Sequence, residues 1–72
     1  QTNQGLMNPA NPHGPALSPV KPDVQVLDTA GHLHITEINL SGGPNYHLFR
    51  ELELKNIIPP ANWGSYYGVN LP

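Results

Sequence analysis

Val24–Gln25–Val26–Leu27–Asp28–Thr29–Ala30–Gly31–His32–Leu33–His34–Ile35–Thr36 is the stretch on which the fold turns. Val24 to Leu27 alternates apolar and polar residues as a half-buried strand does. Asp28 then opens a turn, because its carboxylate accepts backbone hydrogen bonds, and Gly31 tolerates the positive φ at its end. From His32 the alternation resumes, with Leu33 and Ile35 on one face. The stretch predicts a β-hairpin. Further on, Ile38 and Leu40 take the opposite parity from Leu33 and Ile35. That predicts either a bulge near Thr36–Glu37 or burial on both faces.

Ser41–Gly42–Gly43–Pro44–Asn45 breaks the pattern. In residues 46–57, a strand reading puts Tyr46, Leu48, Leu52 and Leu54 on one face. His47, Glu51, Glu53 and Lys55 fall on the other, and Phe49 and Arg50 fit neither. A helix reading groups Leu48, Phe49 and Leu52 and pairs Glu51 with Lys55. Alternation covers more positions, and a lone hairpin needs a further strand for stability. The expected fold is therefore mainly β. It is a small three-stranded antiparallel meander in residues 23–57, between a Pro-rich arm (1–22) and an aromatic tail (58–72).

The arm carries Pro9, Pro12, Pro15, Pro19 and Pro22 and a single charged residue, Lys21. Proline lacks the amide donor and clashes with a preceding helical turn, so the arm is expected to be extended. It has few large apolar groups to offset the entropy of ordering, and on its own it is expected to be disordered. Its apolar side chains, Leu6, Met7, Leu17 and Val20, are the expected contacts with a partner. In the tail, Trp63, Tyr66 and Tyr67 are the expected anchors on a neighbouring chain, since Trp and Tyr are favoured at interfaces.

The chain has 72 residues and no cysteine, so no disulfide supports it. The central unit is shorter than the ~40 residues below which independent folding usually needs help, which points to oligomerisation or docking. Charged residues make up 11% of the chain, and the net charge is −2. An average soluble domain has about 25% charged residues, so much of the surface is expected to face other protein. Three basic residues exclude phosphate-driven nucleic-acid binding. No apolar run approaches the ~20 residues of a membrane span. The first residue is Gln1, which suits a processed chain with a signal peptide removed, and the setting is expected to be secreted, cell-surface or virion-like.

Leu33–His34–Ile35–Thr36–Glu37–Ile38, followed by Glu51–Leu52–Glu53–Leu54–Lys55–Asn56, resembles the opening strands of lamin-tail-type immunoglobulin-like domains. The resemblance implies strands at both places. It covers a minor part of the chain, and the later strands of that fold have no counterpart.

Two sets of residues suggest other chemistry. His32 and His34 lie two apart, and His47 follows on a neighbouring element, so the three are candidates for a metal site in a secreted module. Trp63, Tyr66 and Tyr67 are also candidates for a sugar-stacking surface. Asn39–Leu40–Ser41 is a glycosylation acceptor pattern. Glu51 and Glu53 have no deep cleft to raise a carboxyl pKa for glycoside hydrolysis. No serine or threonine stands with histidine and acid in a recognisable nucleophile motif. Gly42–Gly43 precedes proline and not a lysine-bearing helix, so a phosphate loop is not supported. The chain reads as a non-enzyme with no cofactor. It is expected to be a structural subunit whose arms dock on or exchange with neighbouring chains, either copies of itself or a larger complex.

Overall fold

The computed structural model describes residues 5–40 and 43–71, and expectations falling on residues 1–4, on Ser41 and Gly42, and on Pro72 lie outside the described residues. The hairpin is present. Strand β1 (Val24–Leu27) pairs antiparallel with β2 (Leu33–Asn39), from Val24 opposite Thr36 to Leu27 opposite Leu33. Asp28 N–H donates to the His32 carbonyl at 3.0 Å and Gly31 N–H to the Asp28 carbonyl at 3.1 Å. Gly31 sits at φ 86°, a left-handed conformation that costs glycine little.

Beyond the hairpin the expected antiparallel meander gives way to a mixed sheet with one helix. Residues 46–57 form α1 (Tyr46–Ile57), so the second strand implied by the immunoglobulin-like resemblance is absent there. Helix spacing brings Lys55 Nζ to 3.0 Å from Glu51 and Arg50 to 3.3 Å from Glu53. It also turns Arg50 and Leu54 (the misfit and the end of the strand pattern) to the same inward side. The run Ile58–Pro59–Pro60 ends the helix, since proline can neither donate nor follow a helical residue. A short 3-10 turn (Pro60–Asn62) leads into β3 (Trp63–Asn70), which is the third strand. β3 lies beside β2 and parallel to it, in the order β1-β2-β3. Parallel neighbours need a crossover connection, and α1 supplies it. The strand-rich tail sequence therefore completes the sheet.

Along β2 the parity seen at Leu33 and Ile35 continues without a bulge against β1. Leu33, Ile35, Glu37 and Asn39 are buried, while Ile38 and Leu40 are exposed. The apolar parity switch misled because two polar side chains take the inward places and find partners there.

The core contains Leu6, Leu33, Ile35, Leu54 and Ile58, with Met7, Leu17, Val20, Leu27, Ile57, Trp63 and Tyr66 packed around it. The arm, the centre and the tail thus share one core. Residues 5–22 do not extend away. Leu6 N–H donates to Ser18 O at 2.9 Å and Leu17 N–H to Leu6 O at 2.8 Å, closing a loop with turns at Asn8–Asn11 and Asn11–Gly14. Gln25 on β1 fixes the loop, donating from Nε2 to Gly5 O and accepting from Met7 N–H, each at 2.8 Å. What orders the arm is therefore one fully buried leucine and two side-chain bonds from β1.

Leu6→Ala should destabilise the chain by about 2–5 kcal/mol. Lys21→Ala, exposed in the same arm, should change stability by no more than about 0.5 kcal/mol in urea denaturation. Equal effects would show that the arm does not pack as described.

Candidate functional site

Two polar clusters flank the sheet, one on each face. The first lies between the sheet and α1. Glu37 points inward from β2 and is 1% exposed. Arg50 donates from Nε to both of its oxygens, at 2.9 and 3.1 Å, and the Tyr66 hydroxyl lies 3.0 Å from Oε1. Tyr66 OH is also 2.7 Å from His47 Nδ1, while His47 Nε2 lies 3.0 Å from the Val69 carbonyl. That carbonyl only accepts, so Nε2 carries a hydrogen. The Tyr66 hydroxyl donates to Glu37 and also lies within hydrogen-bond reach of His47 Nδ1. Glu37 holds the Arg50 guanidinium firmly protonated, by hydrogen bond first and then by charge, against the opposing effect of burial. Burial raises the Tyr66 pKa, and the Glu37 hydrogen bond and charge raise it further. A Cβ at Gly68 would overlap the His47 ring, so glycine is needed where the helix meets β3.

The second cluster lies on the open face. Asp28 Oδ1 accepts from the N–H groups of Ala30 and His32, each at 2.9 Å. Its Oδ2 lies 2.9 Å from His34 Nε2, and His34 Nδ1 lies 2.9 Å from Ser65 Oγ. Ser65 is the register partner of His34, and the shift in register between Leu33 and His34 leaves Gly64 as the extra residue of β3. A Cβ on Gly64 would meet the His34 ring, so this glycine lets the imidazole lie against the strand. The hydrogen bond from His34 is the largest influence lowering the Asp28 pKa, from 3.8 to about 2, followed by the bond from His32 N–H. An ionised Asp28 only accepts, so His34 Nε2 carries the hydrogen and Nδ1 is left as the acceptor for the Ser65 hydroxyl.

The structure separates the three histidines expected to bind metal. His32 and His34 share Asp28, with His32 Nδ1 3.7 Å from Oδ2, while His47 sits over the inner face. Among the described residues no group of three or more His, Cys, Asp or Glu side chains could hold a metal ion. The aromatic set is divided too. Tyr66 packs against the core, Tyr67 is exposed on the other face, and Trp63 is half-buried with Lys55 Nζ 5.3 Å from its ring centroid. Leu6, Met7, Leu17 and Val20, expected to meet a partner, cover this chain's own sheet. A glycan at Asn39 would need the Nδ2 atom that donates to Gly43 O at 3.1 Å and Asn70 Oδ1 at 3.0 Å.

The Asp28–His34–Ser65 alignment escaped sequence reading because its members are separated in sequence and meet only through a parallel pairing. The one available signal was Asp28 at the head of a turn six residues before a strand histidine. No family model, curated protein or solved structure matches the chain. Among the described residues no helix is long and apolar enough to cross a membrane.

Two measurements check these clusters. Asp28 has a folded pKa below its ordinary value, so its contribution to stability is complete above 3.8 and is lost as pH falls through about 2. Asp28→Asn should flatten that acid limb in thermal melts taken across the same range. At the inner cluster, Arg50→Met leaves Glu37 buried without its cation and should cost about 3–5 kcal/mol. Adding Glu37→Leu should restore most of the loss in a double-mutant cycle.

Proposed function

We propose that this chain is a structural subunit that assembles with copies of itself through the outer face of α1. The observation that carries the reading is a stripe of Leu48, Phe49 and Leu52, which are 57%, 65% and 53% exposed. The three residues lie at i, i+1 and i+4, so they form one apolar face on a helix whose other side already covers the sheet. Beside it runs a groove of ≈ 430 Å³ lined by Pro44, Asn45, Tyr46, Phe49, Arg50 and Glu53. Ridge and groove side by side suit a two-fold contact, in which each copy seats its stripe against the other's groove.

Charge favours a second copy as the occupant. The stripe carries no full charge, and its neighbours Glu51 and Lys55 neutralise each other at 3.0 Å. An identical face therefore meets it without burying an unpaired ion. Antiparallel helices also oppose their dipoles. A low charged fraction of 11% suits a surface shared with other chains, in a secreted or virion-like setting. The arm does not carry this reading. Leu6 would have to leave the core before residues 5–22 exchanged between copies.

Fully burying a leucine or phenylalanine stabilises by about 1.5–3 kcal/mol, and these side chains are already partly covered. Six such half-exposed side chains gain roughly 5–10 kcal/mol, which exceeds the lower estimates of the association cost, about 4 kcal/mol and upward, by no more than about 6 kcal/mol. The helix contact alone should therefore give a weak dimer. Sedimentation velocity over a concentration series should show a reversible dimer with a Kd on the order of 100 μM. Phe49→Asp should leave a folded monomer. A chain that is monomeric throughout would remove the reading, and an oligomer indifferent to Phe49→Asp would move the contact to the arm or the open sheet face.

A further inference from the structure

The open face of the sheet plays no part in the contact through α1, and it holds Ser65, His34 and Asp28 in line. We propose that Ser65 is a nucleophile that accepts acyl groups from small activated carboxylic esters, with His34 as its general base and Asp28 as the group that orients His34.

Three requirements of such a serine are met by separate features. The first is a base with a free lone pair on the hydroxyl. Asp28 fixes the His34 hydrogen on Nε2, so Nδ1, 2.9 Å from Ser65 Oγ, is the acceptor. The second is a fixed orienting carboxylate. Asp28 is held by two backbone N–H groups of its own turn, so its position does not depend on His34. The third is access. Ser65 is exposed on the edge strand β3, and the His34 and Asp28 side chains are 39% and 37% exposed. The ring nitrogens are used in the opposite sense to chymotrypsin-like serine proteases, where the acid binds Nδ1 and the serine meets Nε2. The roles follow from geometry and not from which nitrogen fills them. With these side chains open to solvent, the site selects by reactivity of the acyl donor more than by shape.

The step balances within these groups. Ser65 Oγ bonds to the ester carbonyl carbon while its hydrogen passes to His34 Nδ1, and the resulting imidazolium is stabilised by Asp28. The tetrahedral adduct then breaks its bond to the leaving oxygen, which takes the hydrogen back from Nδ1. The products are an ester on Ser65 and a free alcohol or phenol. Nothing is oxidised or reduced.

The test is incubation of the full chain with p-nitrophenyl acetate, followed by intact mass and peptide mapping. The expected result is one acetyl group on Ser65, with Ser18 as the unreacted control in the same chain. His34→Gln should slow acetylation of Ser65 by about 100-fold or more, the usual contribution of a general base. Asp28→Asn should slow it to a lesser degree, and Ser65→Ala should leave no stable adduct. The mapping on unaltered protein needs no substitution, and amide spectra of the variants confirm that each is folded. Acetyl groups only on lysine or histidine would overturn the proposal. So would Ser65 reacting no faster than Ser18, or a folded His34→Gln variant reacting as fast as the parent.

Discussion

A carboxylate that is 1% exposed must be neutralised and hydrogen-bonded where it sits, and Glu37 is in that position at the centre of β2. Its partners come from the two elements that follow it in the chain. Arg50 reaches it from α1 and Tyr66 from β3, so one side chain ties the central strand to its helix and to its parallel neighbour. An uncompensated charge there would cost several kcal/mol, and a chain of this size has few apolar contacts to offset it. The helix must place Arg50 inward, which fixes its rotation about its own axis. That rotation in turn directs Leu54 into the core and leaves Leu48, Phe49 and Leu52 outside.

Two glycines of β3 make room for rings on the two faces of the sheet. Gly68 admits the His47 ring over the inner face, and Gly64 admits the His34 ring over the outer one. Each histidine then fastens a strand to something beyond it, His47 to Tyr66 and Val69, His34 to Asp28 and Ser65. With the arm loop and α1 covering one face of the sheet, the other face stays open. The molecule consequently presents two separate surfaces, an apolar helix stripe suited to another copy and a polar line ending in a serine hydroxyl. Neither needs the other to be covered or exposed.

The hairpin was legible because its signals are local: alternation on either side of an Asp-to-Gly turn. The third strand was not, because nothing in Trp63–Asn70 announces a parallel partner three elements back. The helix was half-legible, since the Glu51–Lys55 spacing pointed to it while the alternation of Tyr46, Leu48, Leu52 and Leu54 pointed away. Composition hid the buried places of Glu37 and Asn39, because inward polar residues are readable only once their partners are known. The arm looked unable to order itself; in the fold, Leu6 packs among core side chains from the sheet and the end of the helix, and Gln25 supplies two bonds from β1. For the sites, the fold sorts the candidate histidines and aromatics onto opposite faces, His34 and Tyr67 on the outer and His47 and Tyr66 on the inner, which residue spacing alone did not reveal.

Native-state hydrogen exchange on the Arg50→Met variant tests most directly whether Glu37 and its partners hold the fold together. Amides of α1 and β3 should lose protection together, as one opening unit, while the β1–β2 hairpin keeps more of its protection. Loss of protection confined to α1, with β3 unchanged, would contradict it.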